Sequence, residues 1–195
     1  MPCELNRTRF YSGTSLTILT CSDLTGLRNL WPSSQDWVSA LYIIGPIYCT
    51  NGAPVLFGGG RAVDFGRTMP DGERIFGDHK TVRGLLSGLT VGIIVGLFES
   101  LLSATDMIRL ATLASVGALL GDLGGAFIKR RLGIKPGQPL PGVDQLDFVI
   151  GAVLAISVIY TPTVGTLLIL FCVTPPIHFF TNVCAYKLGL KSNYW

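Results

Sequence analysis

The stretch from Gly121 to Asp147 decides the fold, and it reads GDLGGAFIKRRLGIKPGQPLPGVDQLD. Long apolar runs flank it, yet it carries three carboxylates and four cations: Asp122, Asp144, Asp147, Lys129, Arg130, Arg131 and Lys135. A carboxylate near the centre of a membrane helix costs about 2.5–3.5 kcal/mol on insertion scales. A metal ion or the neighbouring cations are the nearest groups that can offset this cost. The stretch therefore predicts a functional site within a membrane protein.

The composition is typical of an integral membrane protein. Hydrophobic residues make up 49% of the 195 residues and charged residues only 14%, whereas soluble domains carry about 25% charged residues. The mean hydropathy is +0.51, and the 24 glycines suit close packing of membrane helices. The net charge of +3, with no basic and aromatic stripe, argues against a nucleic-acid partner. We therefore expect an all-α, polytopic membrane protein; the pattern carries no information on its oligomeric state.

The apolar runs divide the chain into two parts. Residues 1–36 form a mixed, polar N-terminal segment, and residues 37–195 form a membrane-embedded domain. Runs long enough to cross a bilayer predict about five transmembrane helices, at about 37–57, 84–103, 107–128, 143–160 and 164–186. Pro46 and Pro54 predict a kink or a break in the first of these helices.

The basic residues predict the topology. Lys and Arg concentrate in the loop at 58–83, in the loop at 129–135 and in the tail after residue 186. Five crossings place these three regions on the same side, which is the cytoplasm by the positive-inside rule. The sequence thus predicts a multi-pass protein of the cell membrane whose cytoplasmic loops form the active site.

The loop at 58–83 is rich in glycine as well as basic. Backbone amides freed by glycine can approach phosphates, and Lys or Arg can meet their charge. The spacing of a P-loop is absent, and a solvated loop remains the alternative. Asn51 is polar within the first apolar run and indicates either a ligand contact or a hydrogen bond between helices. His79 and His178 lack a second ligand at metal spacing, so they are interpreted as a loop residue and a packed residue.

The carboxylates carry the chemical prediction. Asp122 and Lys129 are seven residues apart and share a helix face, which suits either a ligand site or an internal ion pair. Asp144 and Asp147 are three apart at a helix start, and helix capping accounts for only one of them. Two adjacent carboxylates suit Mg²⁺, which binds one or two of them together with substrate phosphates. A site with a metal ion and with lysine and arginine side chains near it is what phosphoryl or nucleotidyl transfer requires. Because the site lies in a membrane protein, we expect the second substrate to be a lipid.

The same residues resemble a known signature. Lys129-Arg130, Lys135, Pro141-Gly142 and the Asp144–Asp147 pair are similar to the K-R-x4-K-D, P-G-H-G-G and D-R-x-D motifs of phosphatidate cytidylyltransferases. The chain departs at Pro136, lacks H-G-G and has Gln145 in place of Arg.

These departures are those of the archaeal relatives, the CDP-archaeol synthases. That family also carries N-x-x-P, G-G-G followed by D-F-G, and G-D-x-K-T-x-x-G. All three motifs are present here, at 51–54, 58–66 and 77–84. The resemblance spans about residues 42–150.

The resemblance implies a reaction and a set of roles. It implies Mg²⁺-dependent transfer of CMP from CTP to 2,3-bis-O-geranylgeranylglycerol 1-phosphate, an isoprenoid ether-lipid phosphate, among membrane lipids. The implied metal ligands are Asp144, Asp147 and Asp122. The implied catalytic residues are Lys80, Lys129 and Asp122. The implied CTP contacts are Asn51, Gly59, Asp64, Gly66, Asp78, Thr81 and Arg130.

Two other classes of membrane protein are alternatives. A CDP-alcohol phosphotransferase requires D-G-x-x-A-R and further aspartates at four-residue spacing, but Asp71-Gly72 is not followed by that pattern. A small transporter would use Asp122 as an ion site, but internal repeats are typical of transporters and none is visible. Transfer of nucleotide from labelled CTP separates these alternatives.

Overall fold

The computed structural model describes residues 31–103, 106–135, 137–191 and 193. In these ranges the chain forms five helices and no strand, which confirms the all-α prediction. The helices are α1 (Ser34–Phe57), α2 (Val82–Ser103), α3 (Ile108–Arg131), α4 (Val143–Ile156) and α5 (Val164–Lys187). Most of the predicted polar segment at 1–36 lies outside the described residues.

Helix α1 begins with a capping box and does not break. The Ser33 hydroxyl accepts a hydrogen bond from the Asp36 amide, and the Asp36 carboxylate accepts one from the Ser33 amide. The helix continues through Pro46 and Pro54, so of the predicted kink or break the break is wrong, while the kink stays a prediction. Membrane helices tolerate proline because neighbouring groups approach the carbonyl that the proline leaves without a donor. The carbonyl of Thr50, four residues before Pro54, indeed faces Gly88 of α2, where a Cβ would lie 2.6 Å from it.

Helix α2 packs through a face of glycines. Its buried residues are Gly84, Gly88, Gly92 and Gly96, which recur at every fourth position and so share one face. A Cβ added at Gly92 would overlap side-chain oxygens of both α1 and α3, and one added at Gly96 would overlap Ala111 of α3. Close packing of backbones therefore holds α2 against α1 and α3.

Helices α3 and α4 also approach through glycines. A Cβ added at Gly151 would overlap the carbonyl oxygen of Gly117, and one at Gly121 would overlap that of Asp147. The core between the helices contains Phe148, Val149 and Ile156 of α4, all nearly inaccessible to solvent. Packing of α4 against α3 fixes the position of the carboxylates at the start of α4.

Five passes connect the two ends of the bundle. The hydroxyls of Thr163 and Thr166, at the start of α5, donate to Asp36 at the start of α1. The chain between α3 and α5 has thus crossed from one end of the bundle to the other. However, α4 has only 14 residues, about 21 Å, which is less than the hydrocarbon core of about 30 Å. The other four helices are long and apolar enough to span a membrane, so a count of five spans is not confirmed.

Candidate active site

A cavity of about 790 Å³, here called the polar cavity, opens at the end of the bundle where α1 and α3 end and α2 and α4 begin. The loop before α2, the start of α4 and the C-terminal tail also line it. Among the predicted site residues, those in its lining are Asn51, Lys80, Thr81, Asp122, Lys129, Arg130, Asp144 and Asp147. The three basic regions of the sequence therefore meet at this end.

Two ion pairs organise the polar cavity. Lys80 Nζ donates to both carboxylate oxygens of Asp122 at 2.6 Å. Lys129 Nζ donates to the Asp144 oxygens at 2.9 and 2.8 Å. The internal pair between Asp122 and Lys129, an alternative on sequence spacing, is therefore not formed. Each lysine instead bridges two separate elements of the cavity wall.

Arg130 is a buried cation that forms no ion pair with the described residues. It is 5% exposed and lines the polar cavity. Its Nε and Nη1 atoms are buried and have no hydrogen-bond partner among the described residues. A buried charge that is unpaired costs several kcal/mol. The position of Arg130 therefore favours binding of an anion in the polar cavity.

Arg131, the next residue, has a different role. Its guanidinium donates to the Asp71 carboxylate at 2.6 Å and to the carbonyl oxygen of Arg74 at 2.7 Å. These contacts fasten the loop between α1 and α2 to the end of α3. Of the two adjacent arginines, only Arg130 lines the polar cavity.

Asp147 is a carboxylate without a cation. In the described part of the chain no Lys or Arg lies within ion-pair distance of it, although Asp122 and Asp144 each have a lysine. One oxygen accepts from the Phe148 amide at 2.6 Å. The other lies against Gly125, where an added Cβ would overlap it. Asp147 is thus the carboxylate whose charge the protein leaves to be met by another group.

The carboxylates do not form a metal cluster by themselves. Within the described ranges no three His, Cys, Asp or Glu side chains are placed to hold a metal ion. Mg²⁺ requires fewer, because it is usually bound by one or two carboxylates and completed by phosphate oxygens and water. The oxygen donors and the uncompensated Asp147 fit such a cation.

Four of the predicted CTP contacts lie outside the lining of the polar cavity: Gly59, Asp64, Gly66 and Asp78. The Asp64 side chain is fully buried and accepts hydrogen bonds from Arg74 and from the amides of Phe76 and Gly77. Burial alone would raise the pKa of Asp64, but these donors hold the pKa below its ordinary value. Asp64 therefore organises the loop, which explains its place in the D-F-G motif.

Asp78 and Thr81 contribute to the same loop in different ways. Asp78 is exposed and accepts from Arg74 at 2.7 Å. The hydroxyl of Thr81 accepts from the amides of Gly59 and Gly84 at 3.2 and 3.1 Å, which joins the glycine run to the start of α2. Thr81 thus shapes the wall of the polar cavity.

The lining also includes polar residues of the C-terminal part of the chain that were not predicted to belong to the site, among them Lys191, Asn182 and His178. Lys191 donates to the Asn182 side-chain oxygen at 2.8 Å, and the Asn182 amide lies 3.3 Å from His178 Nδ1. Burial, together with Lys80, lowers the pKa of Lys191. The signal in the sequence was the basic tail, which entered only the topology argument. His79, interpreted as a loop residue, also lines the cavity.

Comparison with known proteins identifies the family. The model of the CarS-like CDP-archaeol synthase family matches residues 37–195. A CDP-archaeol synthase of Pyrococcus furiosus is 45% identical over 163 residues, which cover 81% of this chain and 98% of that protein. One of Thermococcus gammatolerans is 46% identical over 169 residues, with 84% and 98% covered.

A solved structure agrees with the sequence relatives. It is described as an intramembrane enzyme for archaeal membrane lipids biosynthesis and superposes with a TM-score of 0.71 at 38% identity. The match covers 75% of this chain and 94% of that one. With a family match over most of the membrane domain and relatives above 40% identity, this chain belongs to the CDP-archaeol synthase family.

Proposed function

We propose that the protein transfers CMP from CTP to 2,3-bis-O-geranylgeranylglycerol 1-phosphate, giving CDP-archaeol and pyrophosphate in phospholipid biosynthesis. Family membership supports cytidylyl transfer in lipid biosynthesis. The observation that carries the proposal for this chain is the buried Arg130, whose Nε and Nη1 have no partner among the described residues, in a cavity that also holds three lysines and three carboxylates. Such a cavity suits a triphosphate together with a cation.

The chemistry is an in-line displacement at the α-phosphorus of CTP. An oxygen of the lipid phosphate forms the new phosphorus–oxygen bond, and the bond from the α-phosphorus to the bridging oxygen of pyrophosphate breaks with its electron pair. The attacking phosphate is already ionised near neutral pH, so no general base is required. Catalysis then rests on positioning the two phosphates and stabilising the charge of the leaving group.

Positive charge for the phosphates comes from four residues of the polar cavity: Lys80, Lys129, Arg130 and Lys191. Lys80 and Lys129 are bound to carboxylates without substrate, and a phosphate oxygen offers each ammonium an equivalent acceptor. We infer that both lysines turn toward the triphosphate when it binds. We assign Asn51, which lines the polar cavity on its α1 side, to contact with the cytidine or ribose.

Mg²⁺ belongs to the proposal as well. Asp147, with Asp144 and Asp122 in support, would hold the cation, which neutralises the developing charge on the phosphates when bound. The release of Asp122 and Asp144 from their lysines makes their oxygens available for this role. The polar cavity faces the cytoplasm in this proposal, because the three basic regions meet at its end of the bundle.

Labelled CTP tests the reaction directly. Detergent-purified protein is incubated with the lipid phosphate, Mg²⁺ and CTP labelled at either the α- or the γ-phosphorus. We expect the α-label in the lipid product, the γ-label in pyrophosphate and equal amounts of both products. A CDP-alcohol phosphotransferase would instead consume CDP-lipid and release CMP, and a transporter would leave CTP intact; either result contradicts the proposal.

A further inference from the structure

The loop between α1 and α2 contains one residue whose conformation the active site does not explain. Phe65 is the middle residue of the D-F-G motif, and it does not line the polar cavity. Its φ angle is +51°, and among the described residues it is the only one besides glycine with a positive φ. The backbone is strained when a bulky residue adopts this conformation, and such strain is often found at functional positions.

Packing inside the protein does not explain Phe65 either, because its side chain is 56% exposed. The guanidinium of Arg61 lies over the ring, with Cζ 4.8 Å from the ring centroid, which is a cation–π contact. Arg61 is itself exposed and forms no ion pair with the described residues. The loop therefore presents an aromatic ring and a cation together on its surface.

The start of α2 locates this pair relative to the membrane. Helix α2 has 22 residues, about 33 Å, and is apolar enough to span a hydrocarbon core of about 30 Å. Its first residue, Val82, therefore lies near the edge of that core, where the headgroup layer begins. The Val82 amide donates to the Arg61 carbonyl oxygen at 3.0 Å. Arg61, and the Phe65 ring in contact with it, thus lie close to the level of the lipid headgroups.

Two further residues near the same level suit a lipid surface. Arg83 is exposed in the first turn of α2 and forms no ion pair with the described residues. A cation in the first turn opposes the helix dipole, so helix stability does not account for Arg83. Phe57, the last residue of α1, is also exposed. Cations and aromatic rings in such a position are typical of segments that lie at the membrane–water interface.

We propose that the loop segment at 61–65 docks on the membrane surface, with the Phe65 ring in the apolar edge of the bilayer and with Arg61 and Arg83 bound to phosphate groups of bilayer lipids. The lipids are those of the bilayer and not the substrate, because neither arginine lines the polar cavity. Insertion removes the ring from water, which offsets the strain of its backbone. The same loop carries Lys80, so the contact holds one wall of the polar cavity at the membrane. The contact does not depend on the reaction in that cavity.

Spin labels measure the depth of this position in the full-length protein. The native cysteines are replaced by serine, and Phe65→Cys, Leu86→Cys or Glu73→Cys carries a nitroxide in nanodiscs of phosphatidylglycerol. Leu86, exposed in the second turn of α2, is the lipid reference, and Glu73, exposed in the same loop as Phe65, is the water reference. We expect the ratio of collisions with oxygen to collisions with an aqueous nickel complex to be at least threefold higher at Phe65 than at Glu73. A smaller difference would overturn the proposal.

Charge reversal tests the lipid phosphates with the same label. In the Phe65→Cys protein, Arg61→Glu combined with Arg83→Glu should lower the collision ratio to that at Glu73, because an anionic surface repels the new carboxylates. The control is Arg109→Glu, which changes an exposed arginine at the opposite end of the bundle and should leave the ratio unchanged. A ratio that the double substitution does not lower would overturn the phosphate contact.

The alternative partner of the Phe65 ring is the cytosine base of CTP, with which it would stack after a movement of the loop. Phe65→Asn removes the ring and keeps a residue that tolerates a positive φ. We expect its KM for CTP in detergent to differ less than twofold from that of the wild type, and a larger rise would overturn membrane docking in favour of a nucleotide contact. If the wild-type protein forms no CDP-lipid, the proposed function fails, while the spin-label result still decides the membrane contact.

Discussion

At the scale of single residues, the proposed contact between Arg130 and the triphosphate gives the most direct prediction. Two of the buried nitrogens of Arg130, Nε and Nη1, have no partner among the described residues, and buried donors without a partner are expected to lower the stability of the folded protein when no anion is bound. We predict that Arg130→Gln leaves the melting temperature of the free protein unchanged or higher. The same variant should lose most of the rise in melting temperature that CTP gives the wild type, because bound ligand stabilises by mass action.

The matched control for this variant is Arg109→Gln. Arg109 is 84% exposed beside Asp106 at the opposite end of the bundle, so its charge does not reach the polar cavity. It should retain the full CTP-dependent stabilisation. Full stabilisation of Arg130→Gln by CTP would place the triphosphate away from Arg130.

Asp64 gives a prediction on pH dependence. The pKa of Asp64 is depressed in the folded protein, so its stabilisation is fully present above the unfolded pKa of about 3.9 and is lost as the pH falls toward the folded value. Asp64→Asn should therefore destabilise the protein at pH 7 by about 2 kcal/mol and flatten the loss of stability below pH 4. Melting temperatures from pH 3 to 7 measure both effects. Asp106→Asn, exposed at the far end, should follow the wild-type curve, and an unchanged acid dependence in Asp64→Asn would refute this assignment.

The sequence led to several residues that line the polar cavity but did not indicate their partners. The charge within an apolar run led to Asp122, and the motifs led to Lys80 and Asp144; all three line the polar cavity. The pairing of Lys80 with Asp122 joins residues 42 positions apart, and helix periodicity relates only residues on one helix. In the sequence Asp144 and Asp147 looked equivalent, because they lie three residues apart at the same helix start. In the structure Asp144 binds Lys129 and the Leu140 amide, whereas Asp147 has no cation.

At the scale of elements, the glycine face of α2 determines how closely three helices pack. A Cβ at Gly92 would overlap the hydroxyl oxygens of Ser115 and Thr50. Gly92→Ala should therefore destabilise the protein by about 1–3 kcal/mol, as expected for overpacking. Gly52→Ala is the control, because a Cβ there meets nothing within 4 Å and alanine favours the helix. Equal thermal stability of the two variants would show that α2 does not need glycine at this face.

The helix bounds show what the apolar pattern can predict. The helix predicted at 107–128 corresponds to Ile108–Arg131 in the structure, and the helix predicted at 84–103 corresponds to Val82–Ser103. The run at 143–160 was too long, because α4 ends at Ile156. Val158 is 81% exposed, and an apolar turn facing lipid has the same hydropathy as a helix. Hydropathy therefore predicted that five helices follow one another along the chain, but it did not predict that α4 ends at Ile156.

At the scale of the whole molecule, the three basic regions lie at one end of the bundle. In a variant whose native cysteines are replaced by serine, we predict that single cysteines at Arg67, Leu132 and Lys187 react only from the cytoplasmic side. A cysteine at Val158, in the turn after α4 at the opposite end, should react only from outside. Membrane-impermeant maleimide added to intact or opened cells measures both. Reaction of Arg67→Cys from outside would contradict the proposed orientation.

We propose that Asp147 holds the cation for CMP transfer to a membrane lipid, and the variant Asp147→Asn tests this role directly. We predict that Asp147→Asn lowers the rate of CMP transfer from CTP at least a hundredfold, because one amide oxygen replaces a charged ligand. The melting temperature should be equal to that of the wild type or higher, because no lysine or arginine loses a partner. Transfer rate and melting temperature are measured on the same preparation, with Asp106→Asn as the active control. An Asp147→Asn protein that is destabilised yet transfers CMP at the wild-type rate would contradict the role of Asp147 as the cation ligand.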